Sequence, residues 1–361
     1  MRFSASTMIL SLAVALLATG WSAAATPATE PAVYQAGNNL GDDVAAQAAQ
    51  AEQPCAGEQQ PGVLGSVFGR FLNPTECDPR WSFTGDGVVL QRSSTRSQSL
   101  FRNVRDTRDL LNSRDLNFPA EMGFQLGAIR HGPCGWDLEL GYFQIDGWNA
   151  NSTVPGQSLM VGGTAGGGAF VTDGEAHYKS AIHLAEINLR REWCDGLTLL
   201  IGFRAGELNE LYTAYGVGAS LPISVSLNTN TYNHLYGLQT GADYEFYNMG
   251  GPLKVSALCK AGIYGNSAMQ SSRIIEGNSI DQTLDAHRNQ AAFIGEAGMI
   301  ATYQVTCHLS LRASCQAVWI EGVALAPEQI GANDFDTNAN SIDTHGGIFY
   351  YGGGLGVEVK F

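Results

Sequence analysis

Residues Tyr232–Phe246 read YNHLYGLQTGADYEF. Tyr232, His234, Tyr236, Leu238, Thr240, Ala242, Tyr244 and Phe246 share one parity. Asn233, Leu235, Gly237, Gln239, Gly241, Asp243 and Glu245 share the other. Side chains alternate across a strand with period two. One face is therefore aromatic-rich, with tyrosines near its ends, and the other is small and polar. Two folds use such a strand: a membrane barrel with aromatic girdles at both interfaces, or a soluble sandwich with the aromatic face turned inward.

Connection lengths decide between them. Similar alternation predicts strands near 81–92, 121–130, 136–147, 181–193, 197–206, 232–246, 253–264, 290–303, 307–320 and 347–361. Long connections (93–120, 148–180, 207–231, 265–289, 321–346) alternate with short ones (131–135, 194–196, 247–252, 304–306). Strict segregation of loop lengths is the habit of outer-membrane barrels, which have tight periplasmic turns and long outer loops. The fold class expected is an all-β, antiparallel transmembrane barrel of about ten strands.

The short turns also predict registers. A three-residue turn at Cys194–Gly196 sets Trp193 opposite Leu197, Leu189 opposite Ile201, Ile187 opposite Phe203 and Glu186 opposite Arg204. Across 247–252, Phe246 faces Leu253 and Glu245 meets Lys254. In both hairpins the apolar residues share one face and opposite charges meet on the other, so the charged face is the lumen. The sequence closes on GLGVEVKF, Gly354–Phe361, with Leu355, Val357, Val359 and Phe361 on one face. A strand this apolar is an aggregation hazard at an open edge and is safe when paired on both sides.

Of 361 residues 15% are charged and 44 are glycine, against a usual quarter and about 7%. The net charge is -14, and the basic residues form no stripe, which speaks against nucleic acid as a partner. Residues 1–25 have the form of a secretory signal: Arg2, an apolar Met8–Ala18, then the small Ser22–Ala25. Residues 26–80, rich in Ala, Gln, Pro and Gly, form a low-complexity periplasmic segment, and the barrel occupies 81–361. Seven cysteines in an exported chain permit disulfides. A Cys55–Cys77 bridge is expected within the segment before the barrel. Cys134, Cys194 and Cys307 at the short turns have no assignable partner, and Cys259 and Cys315 have lipid-facing parity.

The stretches RWSFTGDGVVLQRS, HLAEINLRR with LTLLIGFRAGELNE, NHLYGLQTGADYEF, KAGIYGNSA and FYYGGGLGVEVKF, in this order and spacing, resemble the beta-barrel porin family seven of planctomycete-type bacteria. The resemblance covers most of 80–361 and departs at the loop VGGTAGGGAF. It implies an outer-membrane location, outer-membrane lipid as surroundings, and insertion by the barrel assembly machinery with Phe361 as part of the signal. Self-association stays open.

Inward parity collects a lumen charge network expected to include Glu186, Arg204, Glu245, Lys254, Lys260, Glu296 and Arg312. Such charges form an ion path or a salt-bridge network that fills a narrow barrel. The sequence has no G-x-S-x-G elbow, no zinc-type cysteine spacing and no phosphate loop, so neither catalysis, a metal nor a cofactor is expected. The function expected is a narrow porin or structural surface protein; the alternative is a surface binding or adhesion module acting through the long loops.

Overall fold

The computed structural model describes residues 80–132, 135–161, 168–218, 224–277 and 279–361. Among them are twelve strands: β1 (Trp81–Arg92), β2 (Ser99–Asn103), β3 (Asp109–Asn112), β4 (Glu121–His131), β5 (Trp136–Val161), β6 (Gly168–Cys194), β7 (Leu197–Gly218), β8 (Ser224–Asn248), β9 (Leu253–Glu276), β10 (Ser279–Gln304), β11 (Leu309–Val323) and β12 (Gly346–Lys360). Ten of them close an antiparallel ring in the order β1-β4-β5-β6-β7-β8-β9-β10-β11-β12 and back to β1. The short β2–β3 hairpin lies outside the ring and pairs with the upper end of β5. "Lower" here means the end with the short turns. The chain segments 1–25 and 26–79, Cys55, Cys77 and Cys134 lie outside the described residues.

The alternation in β8 is realised as written: Tyr236, Leu238, Tyr244 and Phe246 are exposed on the outer face, while Leu235 and Gln239 are buried. Exposed Leu199, Ile201, Phe203, Ile263, Met299, Leu355 and Val357 carry the apolar belt around the ring. At the seam, Trp81 and Phe361 exchange both backbone hydrogen bonds, 2.8 and 2.9 Å. The Phe361 ring stacks on Phe83 with centroids 5.3 Å apart. No backbone edge is therefore left open at the seam, as a hydrocarbon environment demands.

Two expectations about turns need correction. The β6–β7 turn is Asp195-Gly196, with Cys194 opposite Leu197 and a bulge at Trp193; Gly196 takes φ +77°. The extra residue of the bulge restores the expected register above it, so Leu189 still faces Ile201 and Glu186 still faces Arg204. At the β8–β9 turn Lys254 pairs with Asn248, and the bulge falls at Phe246, so Phe246 does not face Leu253.

Three of the five long connections are not loops. The spans 148–180, 207–231 and 265–289 are largely continuations of the strands. Strands β5 to β10 have 22 to 27 residues, whereas β1, β4, β11 and β12 have 11 to 15. A strand needs only about ten residues to cross the apolar layer. The ring thus has one tall wall, β5 to β10, and one low wall, β11, β12, β1 and β4. The remaining two long connections, 93–120 and 324–345, both leave the low wall: the first pairs its β2 with the upper end of β5, and the second packs its 3-10 turn against β7 and β8.

Candidate functional site

The lumen is the natural place for function in a barrel, and it has two floors. The lower floor is built by inward side chains of the strands themselves. Glu186 accepts from Arg204 Nε at 2.9 Å, from Gln239 Nε2 at 2.9 Å and from Lys260. Arg204 also reaches Glu296 at 2.7 Å, and Lys260 reaches Glu139 at 3.3 Å. Glu139 in turn holds Arg190 at 2.7 Å, which holds Asp243 at 3.0 Å. Glu186, Arg204, Lys260, Glu139 and Arg190 each meet two opposite charges. Ions can leave water when opposite charges and further hydrogen bonds together offset the desolvation cost.

Glycines make room for this network. A Cβ on Gly141 would stand 2.8 Å from Glu186 Cγ, one on Gly241 would stand 3.0 Å from Lys260 Cγ, and one on Gly356 would collide with Asp86. The long charged side chains lie flat against neighbouring strands because those positions are bare.

Of the sequence-predicted network, Glu186, Arg204, Lys260 and Glu296 come together in one cluster. Arg312 sits beside it with Asp86, Nε to Oδ1 3.2 Å. Glu245 and Lys254 form a separate pair at the lower rim, 3.2 Å apart and both partly exposed. Arg92, an inward charge by parity, belongs to the upper floor instead.

The upper floor is filled by the two segments from the low wall. Segment 324–345 opens with Ala324, whose backbone N–H and C=O both bond to the Asn233 side chain, at 2.7 and 2.8 Å. It continues as a 3-10 turn, Ala326–Gly331, with Ala326, Pro327, Gln329 and Ile330 buried. Asn333 exchanges two hydrogen bonds with Gln270 at 3.0 and 3.1 Å. Segment 93–120 contributes buried Leu100, Phe101, Leu116 and Phe118.

One fully buried ion pair anchors both segments to the wall. Arg92 pairs with Glu210, each side chain wholly buried. The Arg92 guanidinium lies over the Phe118 ring at 4.5 Å. Glu210 accepts from Tyr178 Oη at 2.6 Å, from Ser180 Oγ at 3.2 Å and from the Ala326 backbone N–H at 2.9 Å. The two segments are also latched to each other: Arg96 bonds Glu328 through its backbone N–H (3.0 Å) and Nε (3.2 Å), and Asp343 through Nη2 (2.9 Å).

Sequence reasoning missed Tyr178, Glu210 and Glu328. A signal for Glu210 exists: Leu208, Glu210, Tyr212 and Ala214 continue the inward parity of β7 past Arg204. Glu328 sits in a segment without period, and nothing local marks it.

Two small cavities lie beside the lower floor. One cavity of about 30 Å³ is bounded by Tyr142, Phe143, Leu184, Glu186, Arg204 and Glu296. Another of about 20 Å³ lies between Asp86, Glu296 and Arg312. A water needs roughly 10–15 Å³ of such volume, so each space holds one or two waters.

Ring and lumen together define a class: a closed antiparallel barrel of ten strands, apolar outside, with a charge-paired lower lumen and a stoppered upper one. No family model matches the chain, and no curated protein matches it. Among solved structures it is similar to the outer membrane protease OmpT from Escherichia coli, at 9% identity over 80% of this chain and 98% of that one, TM-score 0.42. It is similar to the translocator domain of autotransporter NalP from Neisseria meningitidis at 9% identity, 88% and 98% coverage and TM-score 0.38. It is similar to the Pseudomonas putida toluene transporter TodX at 11% identity, 82% and 94% coverage and TM-score 0.34. At these identities nothing of their activities transfers.

Proposed function

We propose that this chain is an outer-membrane barrel that stands closed: a structural surface protein with a charge-networked lumen, and not a standing pore. The observation that carries the reading is the stopper. Ala324 to Ile330 is buried across the upper lumen, and both segments are tied through Arg92–Glu210. A hydrated ion needs a continuous water path, and the buried segment stands across it. Export by residues 1–25, insertion by the barrel assembly machinery with Phe361 as signal, and kinship with the porin family it resembles belong to the same proposal.

Single-channel recording in a planar bilayer tests it. The parent is expected to be silent, and a variant lacking 327–341 is expected to show conductance steps. Steady steps from the parent would overturn the closed reading and restore the narrow porin.

A second reading, the surface binding module, is favoured by one observation: the tall wall. Six strands of 22 to 27 residues carry more than twice what the apolar layer requires. A variant with 149–178 replaced by a tight turn would insert normally and lose any ligand held by that wall. Unchanged ligand binding by that variant would exclude the wall as the binding element.

A further inference from the structure

The lower mouth of the ring holds a constellation separate from the charge network. Ser82 on β1, His131 on β4 and Asp137 on β5 all point inward there, and none was marked by a sequence motif. The Ser82 hydroxyl lies 2.8 Å from His131 Nε2. His131 Nδ1 lies 3.0 Å from Asp137 Oδ2. Asp137 Oδ1 accepts from the Gly132 backbone N–H at 3.3 Å, which fixes the carboxylate's orientation.

The register enforces this order. His131 and Asp137 are direct partners across the β4–β5 ladder. Ser82 faces Ile129 across the β1–β4 ladder, one inward position from His131. An ionised carboxylate only accepts hydrogen bonds, so the imidazole proton sits on Nδ1. Nε2 then offers its lone pair to the Ser82 hydroxyl. Nucleophile, base and orienting acid stand in the sequence of contacts that activates a serine.

Two further features suit chemistry at this place. The His131 and Asp137 side chains are about one-third exposed, so the base opens to the mouth, while Ser82 is buried beneath it. Lys360 is the direct partner of Ser82 across the β1–β12 seam. Facing side chains have Cβ atoms about 5 Å apart, so the Lys360 side chain starts beside Ser82. Its ammonium pairs with Glu358, at 3.2 Å.

We propose that Ser82, His131 and Asp137 form a serine-nucleophile site at the short-turn mouth that hydrolyses short-chain carboxylic esters. Ser82 Oγ bonds to the ester carbonyl carbon as its proton passes to His131 Nε2. The C–O bond to the alcohol then breaks, and Nε2 returns that proton to the departing alkoxide. Water attacks the acyl-serine, again giving a proton to Nε2, and the acid leaves as Ser82 recovers its hydrogen. Asp137 stays ionised throughout and holds the imidazolium. The packed charge network above the site restricts the acyl group to a short one.

The test uses the full chain folded in detergent micelles, treated with a small alkyl fluorophosphonate and mapped by peptide mass spectrometry. p-Nitrophenyl acetate hydrolysis is followed in parallel. Phosphonylation is expected at Ser82 and is abolished in Ser82→Ala. Labelling and hydrolysis are expected to fall at least roughly a hundredfold in His131→Gln, and less in Asp137→Asn, the size of effect general bases carry. Heat-modifiable gel mobility reports folding of each variant. A folded parent that is not labelled at Ser82 overturns the proposal, as does a folded His131→Gln labelled as fast as the parent. Should the variants fail to fold, the parent decides alone: labelling at Ser82 as fast after heat unfolding as before means no activation and overturns the proposal.

Discussion

The two floors of the lumen solve the same problem, a polar interior closed to water, in opposite ways. The lower floor is closed by the strands' own charges, most of them shared between two partners, beside bare glycine positions. The upper floor is closed by chain that comes from elsewhere, with one ion pair, Arg92–Glu210, fixing it. The lower floor shares its charges among several partners, whereas the upper one, though held by other hydrogen bonds, has a single fully buried ion pair among the described residues. That difference sets how each should respond to damage.

The largest effect is expected at Glu210. Glu210→Ala leaves Arg92 buried and uncompensated and removes the acceptor of the Ala326 N–H, a loss of about 3–5 kcal/mol. Urea unfolding from micelles measures it, and limited proteolysis should cut within 324–345. A loss under about 1 kcal/mol would erase the distinction between the floors.

Glu186→Gln is expected to cost less, about 1–3 kcal/mol, because Arg204 keeps Glu296 and Lys260 keeps Glu139. A double-mutant cycle of Glu186 with Arg204 should give a coupling above about 0.5 kcal/mol. A coupling of zero would mean that the network does not act as a unit.

The latch comes next. Arg96 is half exposed, so Arg96→Ala should cost about 1 kcal/mol or less. It should also change the response to acid. Burial raises the Asp343 carboxyl, but hydrogen bonds from the His345 backbone and ring and from Arg96 outweigh it and hold the group below 3.8. A carboxyl lowered on folding stabilises above its ordinary value and loses that contribution as pH falls through the lowered one. Proteolysis of 324–345 by an acid-tolerant protease should therefore rise in the parent as pH falls below the ordinary carboxylate range, and this acid-induced rise should be smaller in Arg96→Ala. Identical acid profiles would detach the latch from Asp343.

The smallest effect is expected from Lys254→Ala at the rim. Its pair with Glu245 is 45% and 30% exposed, and such pairs contribute under about 0.5 kcal/mol and fade with salt. A larger loss would place the rim within the network.

The same contrast explains what was legible in the sequence. The lower floor was, because period-two alternation and short turns fix face and register over the few residues between a turn and Glu186 or Arg204. The errors there, at Trp193 and Phe246, are single-residue bulges, which alternation alone does not reveal. The tall wall was read as loops because only the apolar part of each strand stands out by composition. Backbone pairing continues in water without it, as Leu208 to Ala214 show. The stopper was not legible. Ala324 finds its partner at Asn233 and Arg96 finds Glu328, contacts 91 and 232 residues apart with no repeating pattern to connect them. The grouping of Ser82, His131 and Asp137 was missed similarly: three strands supply them, and only the folded register lines them up.

The two segments that fill the upper floor leave the ring on either side of one seam. Segment 93–120 follows β1, segment 324–345 precedes β12, and β1 pairs with β12. The Arg96–Glu328 contact has nearly the greatest sequence separation the barrel allows, and such contacts form last because their loop-closure entropy is met only when the chain ends are already close. Zipping of the seam supplies that closeness. Closing the ring and stoppering it are therefore expected to fall together late in folding, so that the finished cylinder is stoppered as it closes.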